Sequence, residues 1–184
     1  MFNFAELKEK KKKYQSEYYI LIGGDNTLSN ESTLFLSSKG SVKTYSGMGF
    51  ITETLDFLLQ VIVERGLNIK IIVGDNKGTD KCVIDYARLR TYDLTQYEAN
   101  WDAHGNSAGY KRNEKMFLHL ANKPNKAALV YWDGSNRYTL NLIYNAYLFG
   151  VPIKVYNYNL KRWLTQDEIR SIQEEEDVKQ FQYK

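Results

Sequence analysis

The sequence predicts an α/β fold, a Rossmann-like open sheet of five mostly parallel strands with helices on both faces. Two observations lead to this prediction. Short apolar runs rich in β-branched residues alternate with segments whose apolar residues follow helical spacing. Three of the apolar runs end in polar turns that contain glycine, which permits the sharp change of direction from a strand to a helix. The chain has 184 residues, 43% of them hydrophobic, which is enough to bury the core of one domain.

The first strand follows a basic N-terminal segment. Residues 1–17 include the run KEKKKK at positions 8–13 and are predicted to form a solvated arm or helix. The strand at residues 17–22 leads into the glycine-rich turn GGDNT at residues 23–27. Residues 28–49 fit either a small hairpin or an irregular loop, inserted into a domain that we place at residues 18–160.

The second strand belongs to the most informative stretch of the chain, NIKIIVGDNKGTD at residues 68–80. A helix precedes it, with apolar residues at positions 55, 58, 59, 62 and 63. The first half of the stretch is typical of a strand buried on both faces. Its second half holds Gly74 and Gly78 before a helix that begins near Thr79. Such a turn can bind an anion, because free N–H groups and the positive end of the helix dipole point to one place. An ordinary strand-to-helix connection is compatible with the same residues.

The remaining elements complete the alternation. A weaker strand at residues 94–99 and a polar loop at residues 100–109 lead to a helix with Met116, Phe117 and Leu120 on one side. The strand at residues 126–132 ends in the turn DGSN, and a helix and a last strand at residues 151–156 follow. Pro152 near the start of that strand indicates an edge position. A capping box at residues 165–168 opens the acidic helix predicted within residues 161–184.

Net charge, cysteine content and the length of the apolar runs indicate which partners and which compartment to expect. The net charge of +3 is small, so nucleic acid is not the favoured partner. Cys82 is the only cysteine, which excludes an intrachain disulfide and favours a reducing compartment. The chain lacks both an apolar run of the ~20 residues that cross a bilayer and the apolar core of a signal peptide. We therefore expect a cytoplasmic protein without membrane contact, and a homo-oligomer is compatible with the sequence.

The polar turns predict where a ligand binds. In open α/β sheets, ligands collect outside the carboxyl ends of the strands. The turns at residues 23–27, 74–80 and 133–139 all follow such ends. Arg112 falls in the first turn of its predicted helix, where a positive charge opposes the helix dipole, so we expect it to face an anion.

A family resemblance rests on three runs. These are VGDNKGTD at residues 73–80, Trp101 with Gly105 in the loop, and AGYKRNEKM at residues 108–116. Together they resemble the YspA-like branch of the SLOG superfamily, a Rossmann-like group that includes the DprA/Smf proteins and the "lonely guy" phosphoribohydrolases. The resemblance covers roughly residues 69–156 and implies a sheet that binds nucleotides or their derivatives. Asp75 stands where that family has a second glycine. Leu142 stands where its enzymes carry the glutamate of the PGGxGTxxE motif.

Two functions of different class follow. The first is a binding module that senses or sequesters a nucleotide-derived molecule, such as an ADP-ribose-like or cyclic nucleotide signal. The second is an enzyme that cleaves the N-glycosidic bond of a nucleotide, with Asp133 or Asp25 as candidate catalytic carboxylates. The absent glutamate favours binding, and DNA processing is disfavoured by the near-neutral charge.

The predicted ligand site draws on all three turns and on the helix that contains Arg112. We expect Arg112 to grip a phosphate, Lys77 and Arg112 to offset the charge of the carboxylates, and Trp101 to stack on a base. No cofactor is implied beyond the nucleotide-type ligand, and a divalent metal shared by the carboxylates is a less favoured alternative. The predicted ligand-binding residues are Gly23, Gly24, Asp25, Asn26, Gly74, Asp75, Lys77, Gly78, Thr79, Asp80, Trp101, Arg112, Asn113, Asp133, Gly134, Ser135 and Thr139.

Overall fold

A computed structural model describes residues 16–28, 34–38 and 41–182 of the chain. It confirms the predicted α/β fold, with a mostly parallel sheet and helices on both faces. The strands are β1 (Glu17–Gly24), β2 (Leu34–Ser38), β3 (Ser41–Tyr45), β4 (Asn68–Val73), β5 (Asp93–Gln96), β6 (Lys126–Trp132), β7 (Ile153–Asn157) and β8 (Arg162–Trp163). The helices are α1 (Gly47–Glu64), α2 (Thr79–Leu89), α3 (Trp101–His104), α4 (Ala108–Ala121), α5 (Arg137–Leu148) and α6 (Gln166–Gln182), with a 3₁₀ turn at Gly105–Ser107.

The main sheet has the strand order β5-β4-β1-β6-β7-β8, and β1 lies at its centre. Ile20 of β1 is opposite Ile71 of β4 on one side and Ala127 of β6 on the other, both in parallel register. The chain winds outward from β1 to β5 and then crosses to β6 on the opposite side. The direction of winding therefore reverses between β1 and β6, the position at which open α/β sheets form a crevice.

The prediction of five strands was one short. The sixth strand, β8, is antiparallel and pairs only with the last two residues of β7, Tyr156 and Asn157. A strand of two residues has no periodicity to detect in the sequence. Instead, Trp163 packs against the rings of Tyr131 and Tyr156, with centroids 6.2 and 5.2 Å away. Since β8 leaves the first residues of β7 without a second neighbour, the edge position indicated by Pro152 agrees with the structure.

The chain ends match their sequence signals where they are described. The basic segment lies outside the described residues except for Ser16 and Glu17, and Glu17 is the first residue of β1. The capping box before α6 is confirmed, because Glu168 N–H donates to Thr165 Oγ1 at 3.2 Å and Thr165 N–H donates to Glu168 Oε2 at 2.8 Å. Among the described helices, none is long and apolar enough to span a bilayer.

The inserted segment contains a hairpin, the first of the two alternatives for residues 28–49. Strands β2 and β3 pair in antiparallel register, from Leu34 opposite Tyr45 to Ser38 opposite Ser41, and form a separate two-stranded sheet. Helix α1 follows at once, and the Ser46 side chain caps it by accepting a hydrogen bond of 3.2 Å from Gly49 N–H.

The core has two halves, one on each face of the main sheet. Alternate residues of β1 point to opposite faces, so Ile20 and Ile22 belong to one half and Leu21 to the other. Helices α1 and α2 cover the first half with the buried residues Phe50, Ile51, Leu55, Leu59, Val83, Tyr86 and Ala87. Helices α4, α5 and α6 cover the second with Met116, Phe117, Leu120, Leu142, Ile143, Ala146 and Ile169. The two halves of the core fix the ends of the strands, and thereby the positions of the turns that follow them.

Candidate functional site

The turns that follow β1, β4 and β6 meet at the carboxyl edge of the sheet. The Asn76 side chain donates a hydrogen bond of 3.3 Å to the Gly24 carbonyl and joins the β4 turn to the β1 turn. The Asp133 N–H donates to Asp25 Oδ2 at 2.6 Å and joins the β6 turn to the β1 turn. The structure therefore brings together the three glycine-containing turns on which the sequence-based site rests.

Asp25 is the centre of this junction and is fully buried. Besides the Asp133 N–H, its carboxylate accepts hydrogen bonds from the Thr139 hydroxyl and, at 2.8 Å, from the Tyr158 hydroxyl. Its carbonyl oxygen accepts from the N–H and the hydroxyl of Thr79, at 3.0 and 3.1 Å. Burial raises the pKa of Asp25 to about 6, while the hydrogen bonds to its carboxylate act in the opposite direction. The hydrogen bonds of the buried Asp25 therefore connect the β1 turn to the turns after β4 and β6.

A second buried network surrounds Arg112. Its Nη1 lies 2.5 Å from Asp75 Oδ1 and 3.2 Å from Asn76 Oδ1, and its Nη2 donates to Asn113 Oδ1 at 3.1 Å. The Arg112 side chain is only 2% exposed, whereas that of Asp75 is 23% exposed. Arg112 contacts an anion, the carboxylate of Asp75. Its predicted place in the first helical turn was wrong, because α4 already begins at Ala108 and Arg112 is its fifth residue.

Asp80 lies beside the same network and is also buried. Its Oδ2 accepts a hydrogen bond of 3.0 Å from Asn76 N–H. Its Oδ1 has no hydrogen-bond partner within the described residues, in contrast to the other buried side-chain oxygens and nitrogens there. Burial raises the pKa of Asp80 to about 6, although the positive charge of Arg112 and the nearby N–H groups of Asn76 and Gly24 lower it. The carboxyl group of Asp80 thus has unused hydrogen-bonding capacity in the interior.

Close contacts within the protein account for the glycines of the turns. A Cβ atom on Gly24 would lie 2.3 Å from the Tyr131 carbonyl oxygen, and one on Gly78 would lie 2.4 Å from the carbonyl group of Asn26. A Cβ atom on Gly74 would lie 2.5 Å from Asp80 Oδ2. The sequence assigned these glycines to the ligand site, where the backbone would approach a ligand closely. In the structure, that group belongs to a neighbouring turn of the same chain.

The turn after β6 satisfies its own N–H groups. Asp133 Oδ1 accepts hydrogen bonds of 2.6 and 2.8 Å from the N–H groups of Ser135 and Asn136. Asn136 caps α5, because its Oδ1 accepts from the N–H groups of Tyr138 and Thr139 at 3.0 and 3.1 Å. Partial burial raises the pKa of Asp133, but these N–H groups outweigh it and hold the pKa below its ordinary value. The N–H groups that the sequence offered to a phosphate are therefore occupied by the protein in this turn.

The loop that carries Trp101 is attached to the β4 turn through Asp75. While Asp75 Oδ1 contacts Arg112, its Oδ2 accepts a hydrogen bond of 3.0 Å from Ala99 N–H. Asn100 Oδ1 then accepts from Ala103 N–H at 3.0 Å and caps α3, in which Trp101 is the first residue. The prediction of a loop over residues 100–109 was therefore wrong for α3 and the 3₁₀ turn, which are too short to show a helical period in the sequence. The indole of Trp101 meets the Tyr138 ring edge to face, with centroids 6.2 Å apart. Trp101 is therefore held in a defined orientation although it is 48% exposed.

The predicted site residues divide into a buried and an accessible group. The buried group is Gly23, Gly24, Asp25, Gly74, Gly78, Thr79, Asp80, Arg112, Asn113 and Thr139. Asp75 and Asp133 are partly exposed, and we call the accessible group the rim: Asn26, Lys77, Trp101, Gly134 and Ser135. The buried residues position the turns, and the rim residues are the ones that a ligand can reach.

Four residues of the site were missed by the sequence reasoning: Asn76, Asn136, Tyr138 and Tyr158. Asn76 lies within the stretch at residues 68–80, and its side chain bonds Gly24 and Arg112. Asn136 gave a usable signal, because asparagine is a preferred N-cap and stands directly before the helical pattern. Tyr158 and Tyr138 gave none, since aromatic residues are common in the core and on the surface. Their roles depend on Asp25 and Trp101, which are 133 and 37 residues away in the sequence.

No protein-family model and no curated protein matches the chain. The likeness to the SLOG superfamily therefore rests on the motif residues, and the site is interpreted from its own geometry. Among the described residues, no group of three or more His, Cys, Asp or Glu side chains is placed to hold a metal ion.

We expect Gly78→Ala to lower the free energy of unfolding by about 1–3 kcal/mol, the usual cost of overpacking, because the new methyl group meets the Asn26 backbone. Chemical denaturation measures the change. Lys77→Ala, at the exposed neighbouring position, serves as the control and should leave stability nearly unchanged. Equal stability of the two variants would show that the β1 and β4 turns do not depend on this contact.

Proposed function

We propose that this protein is a binding module for a nucleotide or a nucleotide-derived small molecule, which it senses or sequesters at the carboxyl edge of its sheet. The observation that carries the proposal is the connection between the two accessible recognition groups. Asp75, two residues before Lys77, accepts a hydrogen bond from Ala99, two residues before Trp101. The segment with the exposed cation and the segment with the exposed indole are therefore joined by a hydrogen bond from Ala99 N–H to the Asp75 side chain.

These two groups match the two chemical parts of a nucleotide. One face of an indole can stack on a base, an interaction of about 1–3 kcal/mol that tolerates different bases. The Lys77 ammonium forms no hydrogen bond or ion pair with any residue that the structure describes, so it is free to contact a phosphate. Asn26, on the adjoining β1 turn, adds an exposed amide that can bond a ribose hydroxyl.

The carboxylates favour binding over cleavage. A general acid or base must reach the proton that it transfers. Asp25, the candidate with the raised pKa, is fully buried and its two oxygens accept three hydrogen bonds. The pKa of Asp133 lies below its ordinary value, and its carboxylate already accepts hydrogen bonds from N–H groups of its own turn. Leu142, at the position of the enzymes' glutamate, is buried in the core.

The proposal is tested by mixing the protein with a panel of ribo- and deoxyribonucleoside monophosphates, NAD and cyclic nucleotides. At least one compound should raise the melting temperature by mass action and bind in a calorimeter, without release of free base. Trp101→Ala should then weaken binding by about 1–3 kcal/mol. Tyr147→Ala is the matched control, since Tyr147 is a 47% exposed aromatic residue that contacts Tyr144 on α5 and not the rim.

Two results would contradict the proposal. Unchanged affinity in Trp101→Ala would remove the indole from the site. Free base detected by chromatography, and lost in Asp133→Asn, would instead support the N-glycosidase alternative.

A further inference from the structure

A cavity lies between helices α4, α5 and α6. Its volume is about 770 Å³. This falls within the range of small-molecule sites, about 300–1,000 Å³. None of the residues predicted from the sequence lines it. The lining side chains are Tyr110, Arg137, Leu140, Asn141, Glu176, Lys179 and Gln180. We call this cavity the helical groove.

Two cations of the helical groove are available to a ligand. Arg137 and Lys179 form neither hydrogen bonds nor ion pairs with the residues that the structure describes. Arg137 is the first residue of α5, where a positive charge opposes the helix dipole, so the helix itself does not account for an arginine here. A guanidinium can grip a phosphate through two parallel N–H bonds, and an ammonium adds a point charge.

The amide of Asn141 is oriented in advance by the buried network described above. Arg112 donates to Asn113 Oδ1, so the amide of Asn113 must act as the donor on its other side. Asn113 Nδ2 donates to Asn141 Oδ1 at 3.1 Å, and Asn145 Nδ2 donates to the same oxygen at 3.0 Å. Both bonds occupy the oxygen of Asn141. Its Nδ2 therefore remains as a donor, on a side chain that lines the groove.

Tyr110 forms a rigid aromatic wall. Its ring packs on that of Tyr138, with centroids 4.8 Å apart and planes inclined by 37°. The Tyr138 hydroxyl in turn donates to the Asn106 carbonyl at 3.1 Å. Tyr110 keeps 37% of its surface exposed, so one side of the ring can receive a flat group.

We propose that the helical groove is a second binding site, for a small phosphomonoester that carries a flat ring. The phosphate would contact Arg137, Lys179 and the free Nδ2 of Asn141, and the ring would lie against Tyr110. The carboxylate of Glu176 can accept a hydrogen bond from a hydroxyl group of the ligand. This site is separate from the rim and does not depend on the function proposed for it.

Phenyl phosphate tests the proposal, because it contains the phosphate and the flat ring without the hydroxyl group that Glu176 would contact. Calorimetry should show that phenyl phosphate binds more tightly than inorganic phosphate. Arg137→Gln combined with Lys179→Gln should weaken phenyl phosphate binding by roughly tenfold or more, the loss expected for charge-assisted hydrogen bonds. Tyr110→Leu should abolish the preference for phenyl phosphate over inorganic phosphate.

Matched variants separate the groove from net charge and from the rim. Lys115→Gln combined with Arg170→Gln removes two exposed cations from α4 and α6 outside the groove, and should leave the affinity unchanged. Lys77→Gln and Trp101→Ala should also leave it unchanged. The proposal is overturned if phenyl phosphate does not bind at millimolar concentration, if the two double variants bind it equally, or if a rim variant abolishes binding.

Discussion

Arg112→Met is expected to lower the free energy of unfolding by about 3–5 kcal/mol, the usual result of removing one partner from a buried ion pair. The substitution keeps an unbranched apolar stem but removes the guanidinium and with it every donor. Asp75 then loses its ion-pair partner, and Asn113 loses the donors to its Oδ1. Asp80 loses the one nearby charge that favours its ionised form. Chemical denaturation of the variant and the wild type measures the difference.

The control for this prediction is Lys115→Met, which makes the same replacement on an exposed position of α4. It should change stability by no more than about 0.5 kcal/mol. Arg112→Lys should recover only part of the loss, because an ammonium cannot reproduce the fork that reaches Asp75 and Asn113 together. A loss below about 1 kcal/mol in Arg112→Met would contradict the assignment of Arg112 as the buried centre of this network.

Asp80→Asn is expected to stabilise the protein at pH 7 by up to about 3 kcal/mol. Burial raises the pKa of Asp80 from 3.8 to about 6 in the folded state, so the folded protein holds the proton more tightly than the unfolded chain does. The contribution of Asp80 to the free energy of unfolding is therefore fully present below about pH 4 and is lost as the pH rises through 6. The pKa difference between the folded and unfolded states corresponds to a loss of about 3 kcal/mol. Asparagine is neutral at every pH and removes this loss. Its Oδ1 can accept from Asn76 N–H, while Nδ2 replaces the unpartnered oxygen.

The measurement is the free energy of unfolding of both proteins from pH 4 to pH 7. The difference between them isolates Asp80, because the other groups titrate equally in both. Asp25 should lower the stability of both over the same range, since burial also raises its pKa to about 6. Burial lowers the pKa of His119, which acts in the opposite direction and likewise cancels. A difference that does not grow with pH, or a variant less stable at pH 7, would contradict the prediction.

The candidate site illustrates which contacts the sequence could predict and which depend on partners that are distant in the chain. The three turns were placed at one edge because parallel strands end together, which depends only on the strand pattern. The assignment of Arg112 to a phosphate used the right physical argument, a cation that needs an anion, without knowledge of Asp75 as the partner. Likewise, the glycines were assigned to close approach of a ligand, whereas in the structure the backbone of Asn26 or Tyr131 lies against them.

The sequence by itself determined the five parallel strands of the main sheet, the helices between them and the capping box of α6. Each depends on residues within about one or two helical turns or one strand, where side-chain periodicity and local hydrogen bonds specify the structure. Tertiary structure alone decided which polar groups were buried together. The three donors to the Asp25 carboxylate, Asp133, Thr139 and Tyr158, lie 108, 114 and 133 residues further along the chain. Strand β8 and the helical groove also form only where distant elements pack. Such partners are selected by the geometry of the packed sheet and helices, which no local pattern of residues encodes.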